Sequence, residues 1–136
     1  MSGDPYYSSV SLLLHMDGAD NSTTFLDSSP TPKIITVTGN AKVSTAQSKF
    51  GGAAAVFDGA GDRLDLSDGA GFTADFTIEA WIRVASFSTG FTILDTRASG
   101  LSSGLWLFVT TGGSLQSELR NGTTYLAGNS TANGVI

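Results

Sequence analysis

Phe76-Thr77-Ile78-Glu79-Ala80-Trp81-Ile82-Arg83-Val84 alternates so regularly that its reading decides the fold. Successive side chains of a strand point to opposite faces, so Phe76, Ile78, Ala80, Ile82 and Val84 share one wholly apolar face, which predicts a strand buried on a core. The other face carries Thr77, Glu79, Trp81 and Arg83. Residues 105–110 repeat the theme, with Leu105, Leu107 and Val109 facing one way and Trp106 and Phe108 the other. Further short runs lie at 10–16, 33–38, 53–57, 63–66, 91–96, 115–120 and 123–127. Asp17-Gly18, Ser29-Pro30-Thr31-Pro32, Gly39-Asn40, Gly51-Gly52, Asp58-Gly59-Ala60-Gly61 and Thr111-Gly112-Gly113 punctuate them. Strands at this spacing with turn chemistry between them predict an all-β antiparallel sandwich or barrel. Asn121-Gly122 predicts one hairpin over 115–127, closed by a type I′ turn with positive φ at both central residues.

The composition agrees. Of 136 residues, 17 are Gly, about a quarter are Ser or Thr, and only 14% are charged, a profile poor in helix-surface residues. The length predicts an N-terminal extension over 1–7 and a single domain over 8–136, without room for separate catalytic and binding domains. The chain has no Cys, so no disulfide is available. Acidic residues outnumber basic ones 12 to 7, and the seven cations are scattered, which argues against nucleic acid as a partner. No stretch approaches the roughly 18 apolar residues of a membrane span, and the N-terminus has no basic and apolar regions of a signal peptide. No membrane partner is expected.

Several segments together resemble the laminin-G-like members of the concanavalin A-like lectin/glucanase superfamily. They are Leu12-Leu13-Leu14-His15-Met16-Asp17-Gly18, Phe25-Leu26-Asp27-Ser28-Ser29, Lys49-Phe50-Gly51-Gly52-Ala53-Ala54-Ala55-Val56-Phe57-Asp58-Gly59, Asp62-Arg63-Leu64 and Asp75-Phe76-Thr77-Ile78-Glu79-Ala80-Trp81-Ile82. The resemblance covers residues 8–110 and implies a two-sheet antiparallel jelly-roll sandwich. The opening over residues 4–15 looks like modules of bacteriophage tail and other virion proteins. That implies a virion location and a non-catalytic module recognising surface carbohydrate. Two departures stand out. Pro30-Thr31-Pro32 replaces the family's Gly-Asn-Gly, which puts a calcium site on that loop in doubt, and the family's last strands are expected beyond Ile136. The domain is therefore expected to be C-terminally incomplete, either as a fragment or closed by a neighbouring chain. The alternative function is accordingly a structural or tail and capsid decoration protein, present as an oligomer or within a larger assembly.

Catalytic chemistry finds little footing. Glycoside hydrolysis needs two facing carboxyl groups, but Glu79 and Glu118 are the only Glu residues and lie on different runs. The single His15 sits in an apolar run, where a half-buried structural role is expected, and one His without Cys excludes a zinc site. Calcium is possible at Asp17, Asp20 and Asp27; the competing reading is turn-forming Asp in loops. Asp58 is expected to bond backbone N–H groups within its own turn. Carbohydrate recognition combines aromatic faces with fixed polar groups, and Glu79, Trp81, Arg83, Trp106 and Phe108 supply both. Against this stands the reading of the two tryptophans as core. The sequons at Asn21, Asn121 and Asn129 are read as chance in a chain rich in Asn, Ser and Thr.

Overall fold

A computed structural model describes residues 4–68, 74–98 and 103–132. Among them every sheet is antiparallel and no α-helix occurs, so the chain has the all-β fold of the sandwich class. It divides into two compact units, Met1–Phe76 and Thr77–Ile136.

In the first unit β1 (Ile35–Thr38) pairs with β4 (Arg63–Leu66), and β2 (Lys42–Ser44) pairs with β3 (Ala54–Val56). The inner pair is thus nested in sequence within the outer one. Period-two alternation puts Ile35, Val37, Leu64 and Leu66 on one face of the outer pair. Ile35, Val37 and Leu64 pack with Met16 and Ala55 against a buried centre of Phe25, Val43 and Ala53. Three-residue β2 was not anticipated, because Lys42-Val43-Ser44 is too short for a legible period.

The segment 10–16 forms one isolated bridge, Leu14 to Asp27, rather than the expected strand. Its backbone is tied instead by the Asp27 side chain. Oδ1 accepts from the N–H groups of Leu13 and Ser29, both at 2.9 Å. Oδ2 accepts from the Lys33 N–H and the Ser29 hydroxyl, also at 2.9 Å. Burial would raise the Asp27 carboxyl, but these four donors outweigh it and hold it below its ordinary 3.8.

In the second unit β5 (Phe91–Asp95), β6 (Gly104–Val109), β7 (Leu115–Asn121) and β8 (Thr124–Ser130) form one sheet in chain order. Leu105 and Val109 are buried on one face, opposite Leu119 and Leu115 of β7. The β7–β8 hairpin stands where Asn121-Gly122 placed it, with its turn one residue later. Asn121 pairs with Thr124, so Gly122 and Thr123 form the loop, and only Gly122 has positive φ (59°). That pattern suits a type II′ turn, which wants Gly first, and corrects the expected type I′.

The largest correction concerns 76–84, which belongs to no strand. Phe76 is 48% exposed and Ile82 40%, so the expected buried face is open. Alternation selects the face that a strand would bury, but a strand has no internal hydrogen bonds and forms only beside a partner. The tail beyond Ala132 lies outside the described residues.

Asp27→Asn leaves one oxygen to serve two pairs of donors, and the expected loss is about 1–3 kcal/mol of unfolding free energy, read from denaturant melts. The native carboxyl titrates below the unfolded one, so its contribution is present above about pH 4 and is lost as pH falls through the folded value. The variant's stability should therefore fall less than the wild type's on acidification below about pH 4.

Candidate functional site

The face of the second sheet opposite Leu105 and Val109 gathers the polar and aromatic residues. Trp106 and Phe108 of β6 stand beside Glu118 and Gln116 of β7, while Asp95 and Thr92 of β5 flank them on the other side. Ser130, Gly128 and Tyr125 of β8 complete the face next to Gln116, Glu118 and Arg120.

Trp106 is held on three sides. Its indole N–H donates to the Thr92 hydroxyl at 3.0 Å, and its ring stacks on Phe108 with centroids 3.8 Å apart and planes 17° from parallel. The Arg97 guanidinium lies 4.2 Å from the Trp106 centroid. Arg97 follows β5 two residues beyond Asp95, the partner of Trp106, and so reaches the ring from the side opposite Phe108. Both faces of the indole are occupied.

Arg97 is itself clamped. Nε donates to Asp95 Oδ1 at 2.8 Å and Nη2 to Oδ2 at 2.7 Å, the bidentate geometry that suits guanidinium and carboxylate. The Arg97 side chain is only 8% exposed. Hydrogen bonds to Asp95 raise the Arg97 pKa further against burial, with the charges of Asp95 and Glu118 assisting, and the same pairing lowers the Asp95 carboxyl. A second pair joins Arg120 to Glu118, with Nε at 2.9 Å and Nη2 at 2.8 Å from the same oxygen, Oε2. Gly128 has no room for a Cβ, which would meet the Tyr125 hydroxyl and the Ser117 carbonyl; the Tyr125 side chain lies over it.

The structure thus brings together Trp106 and Phe108 of the expected ligand residues. Glu79, Trp81 and Arg83 lie on the stretch outside the sheet, where Trp81 is 72% exposed, which removes the reading of Trp81 as core. The face adds Arg97, Gln116, Glu118, Arg120 and Tyr125, which the sequence reading passed over. Pairing of β6 with β7 was the missing signal, since Glu118 and Arg120 already sat two apart on one strand.

The carboxylates expected to hold calcium serve separate loops. Asp27 is saturated by four donors, Asp20 accepts from Thr45 N–H at 3.0 Å, and Asp17 lies against Gly51. No three metal-binding side chains of the His, Cys, Asp or Glu type cluster among the described residues. His15 is exposed rather than half-buried. Asp58 accepts from Ala60 N–H at 2.7 Å and from the Asn40 amide at 2.9 Å, the turn role read for it. Asn40, Lys42, Val56 and Asp58 line a shallow depression of about 200 Å³. No described helix is long and apolar enough to cross a membrane.

No protein-family model and no curated protein matches the chain. Among solved structures, an S-layer domain-containing protein from Clostridium thermocellum ATCC 27405 matches 92% of this chain with a TM-score of 0.67 and 18% identity. The chain spans 58% of that structure's length. The likeness supports the β-rich fold.

The two tryptophans report on opposite environments. Trp81→Phe leaves Trp106, whose emission should be blue-shifted and weakly quenched by acrylamide, whereas Trp106→Phe leaves a red-shifted, readily quenched Trp81. In the Trp81→Phe background, Arg97→Ala should open Trp106 to quencher and cost about 1–3 kcal/mol in melts.

Proposed function

We propose that the chain is a non-catalytic carbohydrate-binding module whose ligand surface is the Trp106 face of the second sheet. The observation that carries the reading is the juxtaposition of aromatic rings with planar polar groups, Phe108 and Tyr125 beside Gln116 and the paired Glu118 and Arg120. Sugars are recognised by C–H surface against rings and by hydroxyls against such groups. With both its faces occupied, Trp106 acts as backing that stiffens Phe108, while the far side of Phe108 and the 55% exposed Tyr125 meet the ligand. A hydrolase would need two carboxyl groups facing one scissile bond, whereas Asp95 and Glu118 each hold an arginine. We place the module on a bacteriophage tail or fibre, on the strength of the opening segment over 4–15.

A second reading, assembly with a neighbouring chain, is favoured by β8. All seven residues of Thr124–Ser130 are exposed, none is charged, and Tyr125 and Leu126 are 55% and 56% exposed. Natural edge strands are usually guarded by Lys or Pro, and this one is not. Under that reading light scattering shows a mass that rises with concentration, and Leu126→Lys suppresses the rise.

The binding reading is tested on a broad glycan array followed by calorimetry on any ligand retained. Tyr125→Ala and Phe108→Ala should each weaken binding by about tenfold, or about 1.4 kcal/mol, with Trp81→Ala changing it less. A protein that melts normally yet retains no glycan would overturn it.

A further inference from the structure

Resting on the carbohydrate reading, we infer that the Trp106 face selects neutral, hydroxyl-rich glycans over acidic or sulfated ones. The selection follows from how its charges are spent. Glu118 Oε2 receives both Nε and Nη2 of Arg120, which leaves the second carboxylate oxygen, Oε1, and the third guanidinium nitrogen, Nη1, outside the pair's own bonds. One is an acceptor and the other a donor. A sugar hydroxyl can donate and accept, so the hydroxyls of a glycan can serve both groups, donating to Oε1 and accepting from Nη1. Gln116, beside Phe108 on the same face, offers a further donor and acceptor.

A carboxylate or sulfate only accepts. It would leave Glu118 Oε1 unsatisfied and lie against a negative charge. It can accept from Arg120 Nη1, but that guanidinium is already neutralised by Glu118, and Arg97 is gained only by displacing Asp95 from a guanidinium that is 8% exposed and bidentately bound. Total charge adds no attraction. Between residues 77 and 136 the three arginines, Arg83, Arg97 and Arg120, are matched by Glu79, Asp95 and Glu118, so the whole excess of five negative charges lies in the first 76 residues. The partial burial of the second pair, 22% and 23% exposed, strengthens this discrimination relative to the same groups in open water.

Affinity electrophoresis of the full chain through gels containing mannan, xylan or mixed-linkage β-glucan, and through gels containing polygalacturonate or dextran sulfate, tests the inference. The wild type should be retarded about tenfold more strongly by at least one neutral polymer than by either acidic one, and the neutral retention should be unchanged when salt is raised. Glu118→Gln strips Arg120 of its counter-ion. This variant should gain salt-sensitive retention by the acidic polymers and lose neutral retention by about tenfold. Wild-type retention by an acidic polymer that matches or exceeds the neutral ones, and that Tyr125→Ala abolishes, would overturn the neutral selection while leaving the carbohydrate reading intact. Absence of retention by every polymer would overturn both. The wild-type salt series decides even if Glu118→Gln folds poorly.

Discussion

The first unit depends on one buried carboxylate. Asp27 is 7% exposed, and an ionised group in such a place is costly unless its oxygens are fully engaged. They are, by donors 14, 2 and 6 residues away in sequence, so a single side chain fastens Leu13, Ser29 and Lys33 to one point. Lys33 leads directly into β1, and Leu13 belongs to a segment whose only ladder contact is the Leu14 bridge. Where a sheet would satisfy these backbone groups through a neighbouring strand, Asp27 does so from within its own turn. The apolar centre of Phe25, Val43 and Ala53 can then close with the N-terminal segment fixed in place.

The second unit follows a related rule with a different outcome. Its ion pairs sit among the aromatic rings of one sheet face. Asp95 holds Arg97 over Trp106, and Glu118 fixes Arg120 through one of its two oxygens. Held on both faces, the indole becomes part of the scaffold that orients Phe108. Recognition then falls to the residues around it, of which Phe108, Glu118 and Arg120 are held before any ligand arrives and lose little freedom on binding.

Much of the fold was legible because the paired strands carry a period of two and turns that name themselves: 63–66 and 91–96 match β4 and β5 closely, and the Asn121-Gly122 hairpin is present. The failures have physical causes. Residues 76–84 carry the cleanest alternation in the chain yet form no strand, since pattern specifies a face and not a partner. Around Asp27 the usual sorting is inverted: Leu26 is 74% exposed while Asp27 and Ser29 are buried, so hydrophobicity pointed the wrong way. For Asp17, Asp20 and Asp27 the sequence left calcium and turn-forming roles side by side, because a carboxylate that binds backbone N–H and one that binds calcium have the same sequence signature; Asp20 and Asp27 accept backbone N–H groups. On the candidate site, Trp106 and Phe108 were legible from one strand alone, but their neighbours across β7 and β8 depend on register, which no single run discloses.

The nesting of β2–β3 inside β1–β4 bears on the order in which the first unit folds. Pairing Thr38 with Arg63 directly requires closing a long floppy loop, whose entropic cost grows with its length. Once Ser44 has met Ala54 and Lys42 has met Val56, most of that loop is already fixed, and the outer pair need only zip outward past Gly39 and Asp62. The Asp62 carboxylate accepts from the N–H groups of both Asn40 and Asp58, bridging the two connections at that junction. Topology therefore favours an inside-out sequence of events, with the inner hairpin as the early step and the Asp62 junction as the hinge through which closure spreads.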